Sequence, residues 1–138
     1  MPNHYHLLVR QNTELPISTL VLKVCSGYGK VFNKKYDRVG SLFQDQFKAV
    51  HVNRNEYLLH LSAYIHQNPK VAGLVGDLGK WKYSSYQEYL EENTGGLCDK
   101  KIILEQFRDV REYERMVRES YDTIKSNKNI GQYLIDHE

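Results

Sequence analysis

The chain has 138 residues and a mass of 16.2 kDa, the size of one ordinary domain with enough length to bury a core without disulfide staples. Hydrophobic residues at 41% and charged residues at 26% exclude wholesale disorder, collagen-like repeats and low-complexity composition. No apolar run approaches the ~20 residues of a membrane span, and no cationic start leads into an apolar stretch. No membrane association and a cytoplasmic location are therefore expected, with Cys25 and Cys98 reduced. The formal net charge of +2 hides an asymmetry: residues 1–90 carry a net +5 and residues 91–138 a net −3. A basic body points towards an anionic partner. Tyrosine, at 11 residues against 4 Phe and 1 Trp, suits wet interfaces and base stacking as well as half-buried structural positions.

In chain order, His4-Tyr5-His6-Leu7-Leu8-Val9-Arg10 reads as a strand after a Pro2-Asn3 turn. Ile17 to Tyr36 has apolar residues at helical spacing (Leu20, Val24, Val31, Phe32), with Thr13 as a candidate cap and Pro16 in or near the first turn. Residues 37–41 form a turn. Phe47 to Val52 alternates and is β-branched, which predicts a second strand. A helix then starts near Asn53 or Asn55, either of which could cap it, and is expected to end near Asn68, because Pro69 disfavours helical geometry in the residue before it. Trp81–Leu90 reads as a helix with Tyr83, Tyr86 and Tyr89 at a spacing of three and Ser84 or Ser85 as cap. Asn93-Thr94-Gly95-Gly96 is a linker where the charge changes sign. Lys100–Arg108 and Glu112–Lys125 read as charged amphipathic helices, and Ile130–Ile135 as a weakly defined end. The domain reading is a core over 1–92 and a helical extension over 93–138 packed on it. Two strands alone make a marginal sheet, so the chain looks short of strands.

Two residue pairs could carry chemistry. His4 and His6 would share one face of a strand and could chelate one metal ion; two partly exposed histidines at a frayed end are the alternative. Tyr64 and Asn68 would lie one turn apart on one helix face, bringing a phenol and an amide oxygen to one spot. On spacing alone the plainer reading is favoured there, a semi-buried tyrosine and an asparagine closing a helix. Together the pairs suggest a mechanism: a divalent cation on His4, His6 and Asn68 polarises a phosphodiester, and Tyr64 attacks it. A mixed nitrogen and oxygen donor set suits Mg²⁺ or Mn²⁺, with Mn²⁺ the better match to imidazole. His66 lies on another face of the helix and receives no metal role. His51 and His60 read as structural or surface residues, and Cys25 as a packed thiol. Phosphate loops, GxGxxG, HExxH, paired CxxC and GxSxG are absent.

Met1-Pro2-Asn3-His4-Tyr5-His6-Leu7-Leu8-Val9 resembles the start of the signature of the HUH single-tyrosine transposases, in their REP-associated branch. The name denotes His, a hydrophobic residue and His. Gly40 to Lys48, Glu56 to Leu59, Tyr64 to Val75 and Trp81 to Tyr86 resemble further blocks of that family in the same order. The resemblance covers residues 1–90 and none of the last 48.

The resemblance implies that His4, His6 and Asn68 hold a divalent metal, Mg²⁺ or Mn²⁺, and that Tyr64 attacks a scissile phosphate of single-stranded DNA bearing hairpins. The product would be a 5′-phosphotyrosine and a free 3′-hydroxyl, the route to DNA transposition. The implied fold is α+β, a ferredoxin-like antiparallel palm with additional C-terminal helices. Lys23, Lys30, Lys34, Lys35 and Lys48 become DNA-facing candidates. In relatives a strand, a helix and another strand precede the Met-Pro-Asn-His block, so the palm is expected to be N-terminally incomplete. Its HUH strand would then lie at an exposed edge open to pairing with a second copy, a homodimer. The rival expectation is an inactive single-strand nucleic-acid-binding module, or a remnant of a truncated transposase.

Overall fold

The computed structural model describes residues 3–91 and 96–127. The chain divides into two compact units, Leu7–Ala49 and Met1–His6 with Val50–Glu138. The expected boundary at 92/93, the linker residues 93–95 and the segment Ile130–Ile135 lie outside the described residues.

In the unit Leu7–Ala49 the main element is helix α1, Ile17–Lys35, close to the bounds its periodicity predicts. Its N-cap is Pro16, and no side chain caps it; Thr13, three residues further back, is too early to reach the free N–H groups of the first turn. Lys34 and Lys35 occupy the last turn, where cations complement the helix dipole. The helix closes through Asp37, whose φ of 50° turns the chain so that the Arg38 N–H reaches the Asn33 carbonyl at 2.9 Å. No residue of α1 is buried. Its packing is a string of rings: Phe32 stands 4.5 Å from Tyr36, and Tyr28 stands 6.0 Å from Phe32 and 6.3 Å from Phe43.

The second unit is helical. Helix α2, Asn55–Val71, packs against α5, Val110–Glu119, and α6, Tyr121–Ser126. A 3-10 turn at Leu78–Lys80 leads towards the short α3, Tyr86–Leu90, and α4 covers Lys101–Leu104. The core gathers Ala63 from α2, Leu78, Tyr86 and Tyr89, Ile103 from α4, and Tyr113, Val117 and Ile124 from α5 and α6. Gln67 of α2 is fully buried and its amide donates to the Val117 carbonyl at 2.6 Å, which ties α2 to α5 through a polar contact inside the core.

The ferredoxin-like antiparallel palm expected from the sequence is not formed: among the described residues there is no β-strand. Residues 4–10 and 47–52 lie outside every helix and join no ladder there. Their β-rich composition favours extended backbone, but a strand is stabilised by the neighbour that takes up its N–H and C=O groups. The helix predicted to end near Asn68 runs on to Val71 with Pro69 inside it. Pro69 sits in the last turn, so the missing N–H removes only one bond near the end. Gly73, with φ +72°, then terminates the helix: the Leu74 N–H bonds the Pro69 carbonyl and the Gly73 N–H the Lys70 carbonyl, each at 2.9 Å. The N-cap of α2 is Arg54, without a side-chain bond, in place of either asparagine. The helix expected over Trp81–Leu90 is reduced to Tyr86–Leu90, and that over Lys100–Arg108 to Lys101–Leu104. The one expected over Glu112–Lys125 is two helices that meet at Ser120.

Candidate active site

Tyr64 and Asn68 are one turn apart on α2, so helix geometry alone stacks them on one face. The tertiary fold adds the histidines. The Asn68 amide Nδ2 lies 2.9 Å from His6 Nε2, across 62 positions of sequence. The Tyr64 ring meets the His6 ring edge-on at 5.6 Å between centroids, and His4 meets His6 edge-on at 5.1 Å. All four residues belong to one compact unit. Asn68 is buried, His6 and Tyr64 are half-buried, and His4 is exposed. One side of the cluster thus faces solvent.

His4 Nδ1 stands 2.8 Å from the Asn3 side-chain amide. His6 Nε2 lies against the Asn68 side-chain amide. Rotation of the Asn68 amide by half a turn would present its oxygen instead. Two atoms bound ~2.1 Å from one cation at right angles stand ~3.0 Å apart, close to the separation found here. Two imidazoles and an amide are donor types that could hold Mg²⁺ or Mn²⁺, and Asn3 contacts the His4 ring. Among the described residues no group of three or more His, Cys, Asp or Glu side chains is gathered for a metal.

The opposite side of α2 is different in kind. His66 is two positions from Tyr64, about 200° round the helix, and is buried. Its Nδ1 lies 2.8 Å from the Tyr113 hydroxyl and its Nε2 3.0 Å from the Ser85 hydroxyl. The rings of Tyr86, Tyr89 and Tyr113 enclose it at 5.4, 4.8 and 6.1 Å. Burial lowers its pKa from 6.5 to about 4, so it is neutral at ordinary pH. Burial also raises Tyr89 to about 12 and pushes Tyr113 up. This box is structural. The sequence signals only that His66 lies off the Tyr64–Asn68 face; the partners Ser85 and Tyr113 come from separate elements.

The lysines expected to face DNA belong to the other compact unit. Lys23, Lys30, Lys34 and Lys35 are on α1, and Lys48 lies beyond it, all in the unit Leu7–Ala49. Lys30 lines a groove of about 290 Å³ with Cys25, Asn33 and residues 40–43, and Lys35 lies 5.3 Å over the Tyr36 ring. No disulfide joins Cys25 and Cys98.

His4, His6, Tyr64 and Asn68 thus lie together within one compact unit. Residues 1–68 match the family model described as "Transposase IS200 like", a span that contains all four residues. By that match, over residues 1–68, this part of the chain belongs to the IS200-like, single-tyrosine HUH transposases. Transposase-type function and a DNA partner follow from that membership. Comparison with curated proteins gave no match, and comparison with solved structures gave none. No helix among the described residues is long and apolar enough to cross a membrane.

Proposed function

We propose that the chain nicks single-stranded DNA and transfers the cut strand through a covalent tyrosine link, as in the REP-associated branch, on DNA carrying hairpins. The observation that supports this most is the convergence of His6, Asn68 and Tyr64 at contact distance within the family match. His4, His6 and Asn68 would hold Mg²⁺ or Mn²⁺. When bound, the ion would supply positive charge to the phosphoryl oxygens and so favour attack. Tyr64 loses its proton and its oxygen attacks phosphorus; the bond from phosphorus to the 3′-oxygen breaks, and that oxygen takes up a proton. The result is a 5′-phosphotyrosine and a free 3′-hydroxyl. Attack by another 3′-hydroxyl reverses the step and joins the strand to a new partner, so no high-energy cofactor is consumed. The lysines of α1 and Lys48 would contact backbone phosphates.

The test is incubation of the chain with a hairpin-bearing single strand and Mn²⁺, followed by denaturing electrophoresis. Wild type is expected to form a covalent protein–DNA adduct and Tyr64→Phe none. An adduct that persists in Tyr64→Phe rejects the nucleophile. A second reading, a non-catalytic single-strand-binding module or remnant, draws on one observation: His4 is exposed on a segment that joins no ladder among the described residues. Retained binding of single strands without metal affinity and without adduct would favour it. A displacement of ~1 Å at such a site can cost ~100-fold in rate.

A further inference from the structure

The C-terminal helices lie beyond the family match, and residues 91–138 have a net charge of −3. Within them one surface departs from that sign. Arg108, Arg111 and Arg115 line a cleft of about 220 Å³ at the start of α5, together with Asp109 and Glu112. Arg111 and Arg115, four apart in α5, share one face of the helix, and Arg108 joins them in the cleft from just before the cap Asp109. All three are exposed.

The acids in this cleft are already engaged. Asp109 caps α5, its carboxylate accepting the Glu112 N–H at 2.8 Å. Glu112 reaches back and accepts the Arg108 N–H at 2.8 Å. One free N–H of the helix start, that of Glu112, is thus served by a side chain, and the positive charge of the cleft comes from its guanidiniums. Arg115 approaches Glu112 only at 3.8 Å. Among the described residues the guanidiniums of Arg108 and Arg111 form no ion pair. Arg118, further along the helix, is by contrast held by Glu114 at 2.7 Å.

We infer that the Arg108–Arg111–Arg115 cleft is a second phosphate-binding site, which takes the backbone of a nucleic acid apart from the tyrosine centre. Guanidinium forks match phosphate oxygens in pairs, and the cleft is wide enough to seat a phosphodiester. The choice of a nucleic acid over other polyanions rests on the transposase reading; the convergence of arginines does not.

The experiment measures binding of a fluorescent single-stranded oligonucleotide by anisotropy between 50 and 200 mM salt, using the full chain. With about two fewer phosphates neutralised, the variant Arg108→Gln/Arg111→Gln/Arg115→Gln is expected to show a salt slope shallower by ~1.4 and binding ~25-fold weaker near 0.1 M. Arg111→Gln alone is expected to lower the slope by ~0.7 and serves if the triple variant does not fold. A control with three other C-terminal cations removed, Lys101→Gln/Arg118→Gln/Lys125→Gln, is expected to change the slope much less. An unchanged slope in the cleft variants, or an equal drop in the control, overturns the site while leaving the transposase reading intact. Failure of wild type to bind any single strand overturns both. Loss of poly-glutamate binding in the cleft variant with DNA binding unchanged would replace the phosphate by a carboxylate partner.

Discussion

The two sides of helix α2 use the same residue types for opposite ends. On one, Tyr64 and Asn68 meet His6 at a half-open surface. On the other, His66 meets Tyr113, Tyr86 and Tyr89 in a closed box with both ring nitrogens partnered. A histidine in a polar, partly solvated cluster can bind a cation. One boxed by phenol rings stays neutral and holds helices together. What separates them is burial and partners rather than residue type, and burial can be tested by taking each side apart.

The largest effect on stability is expected on the closed side. Tyr113 is fully buried and packs on His66, Tyr89 and Phe107. Tyr113→Ala should cost ~3–5 kcal/mol, read by urea or thermal unfolding. Tyr64→Phe on the open side should leave the unfolding midpoint almost unmoved while abolishing the covalent adduct. A melting loss of similar size in both would erase the distinction between the two sides.

A smaller effect comes from pH. The folded-state pKa of His66, about 4, lies below its ordinary 6.5, so the unfolded chain takes up the proton first as pH falls. The folded state is then at no disadvantage from this group above about pH 6.5 and loses stability as pH drops towards 4, by about 2 kcal/mol between pH 7 and pH 5. Unfolding curves over that range should show the loss, and His66→Gln should flatten it. A wild-type curve as flat as the variant's would mean that His66 is reached by water.

The smallest effect should be at the turn that ends α2. Gly73 adopts φ +72°, with open space where a side chain would go. Gly73→Ala should therefore cost only the strain of a left-handed backbone, ~1–2 kcal/mol. Because the turn follows Asn68 by five residues, the adduct yield of this variant at a permissive temperature reports whether the helix end positions the amide. Unchanged yield with the expected loss of stability confines its role to the fold.

The legible parts of the fold are those with local causes. The periodicity of Ile17–Lys35 and the spacing of Tyr64 and Asn68 need nothing beyond 3.6 residues per turn. The strands expected at 4–10 and 47–52 do not form, because a strand is decided by its neighbour and β-rich composition supplies only half of a ladder. The extension of α2 past Pro69 is hidden from the sequence for a related reason: the local penalty is real, yet the Leu74 and Gly73 N–H groups close the helix beyond it. The boundaries after residue 80 differ from the expected ones because short amphipathic segments break where the core asks them to, as at Ser120 between α5 and α6.

For the site itself, the amino-acid order was enough to propose the candidate residues and the one-turn spacing of Tyr64 and Asn68; the shared strand face expected of His4 and His6 does not form, and their rings meet without it. It was also enough for the family, through residues 1–68. That the pairs meet is a property of the folded chain, since the His6–Asn68 contact spans 62 positions and no local periodicity reaches that far. The same holds for His66, whose role depends on Ser85 and Tyr113, 19 and 47 residues away. Local spacing follows from backbone geometry, which each residue carries with it. Convergence and burial follow from packing, which belongs to the whole chain.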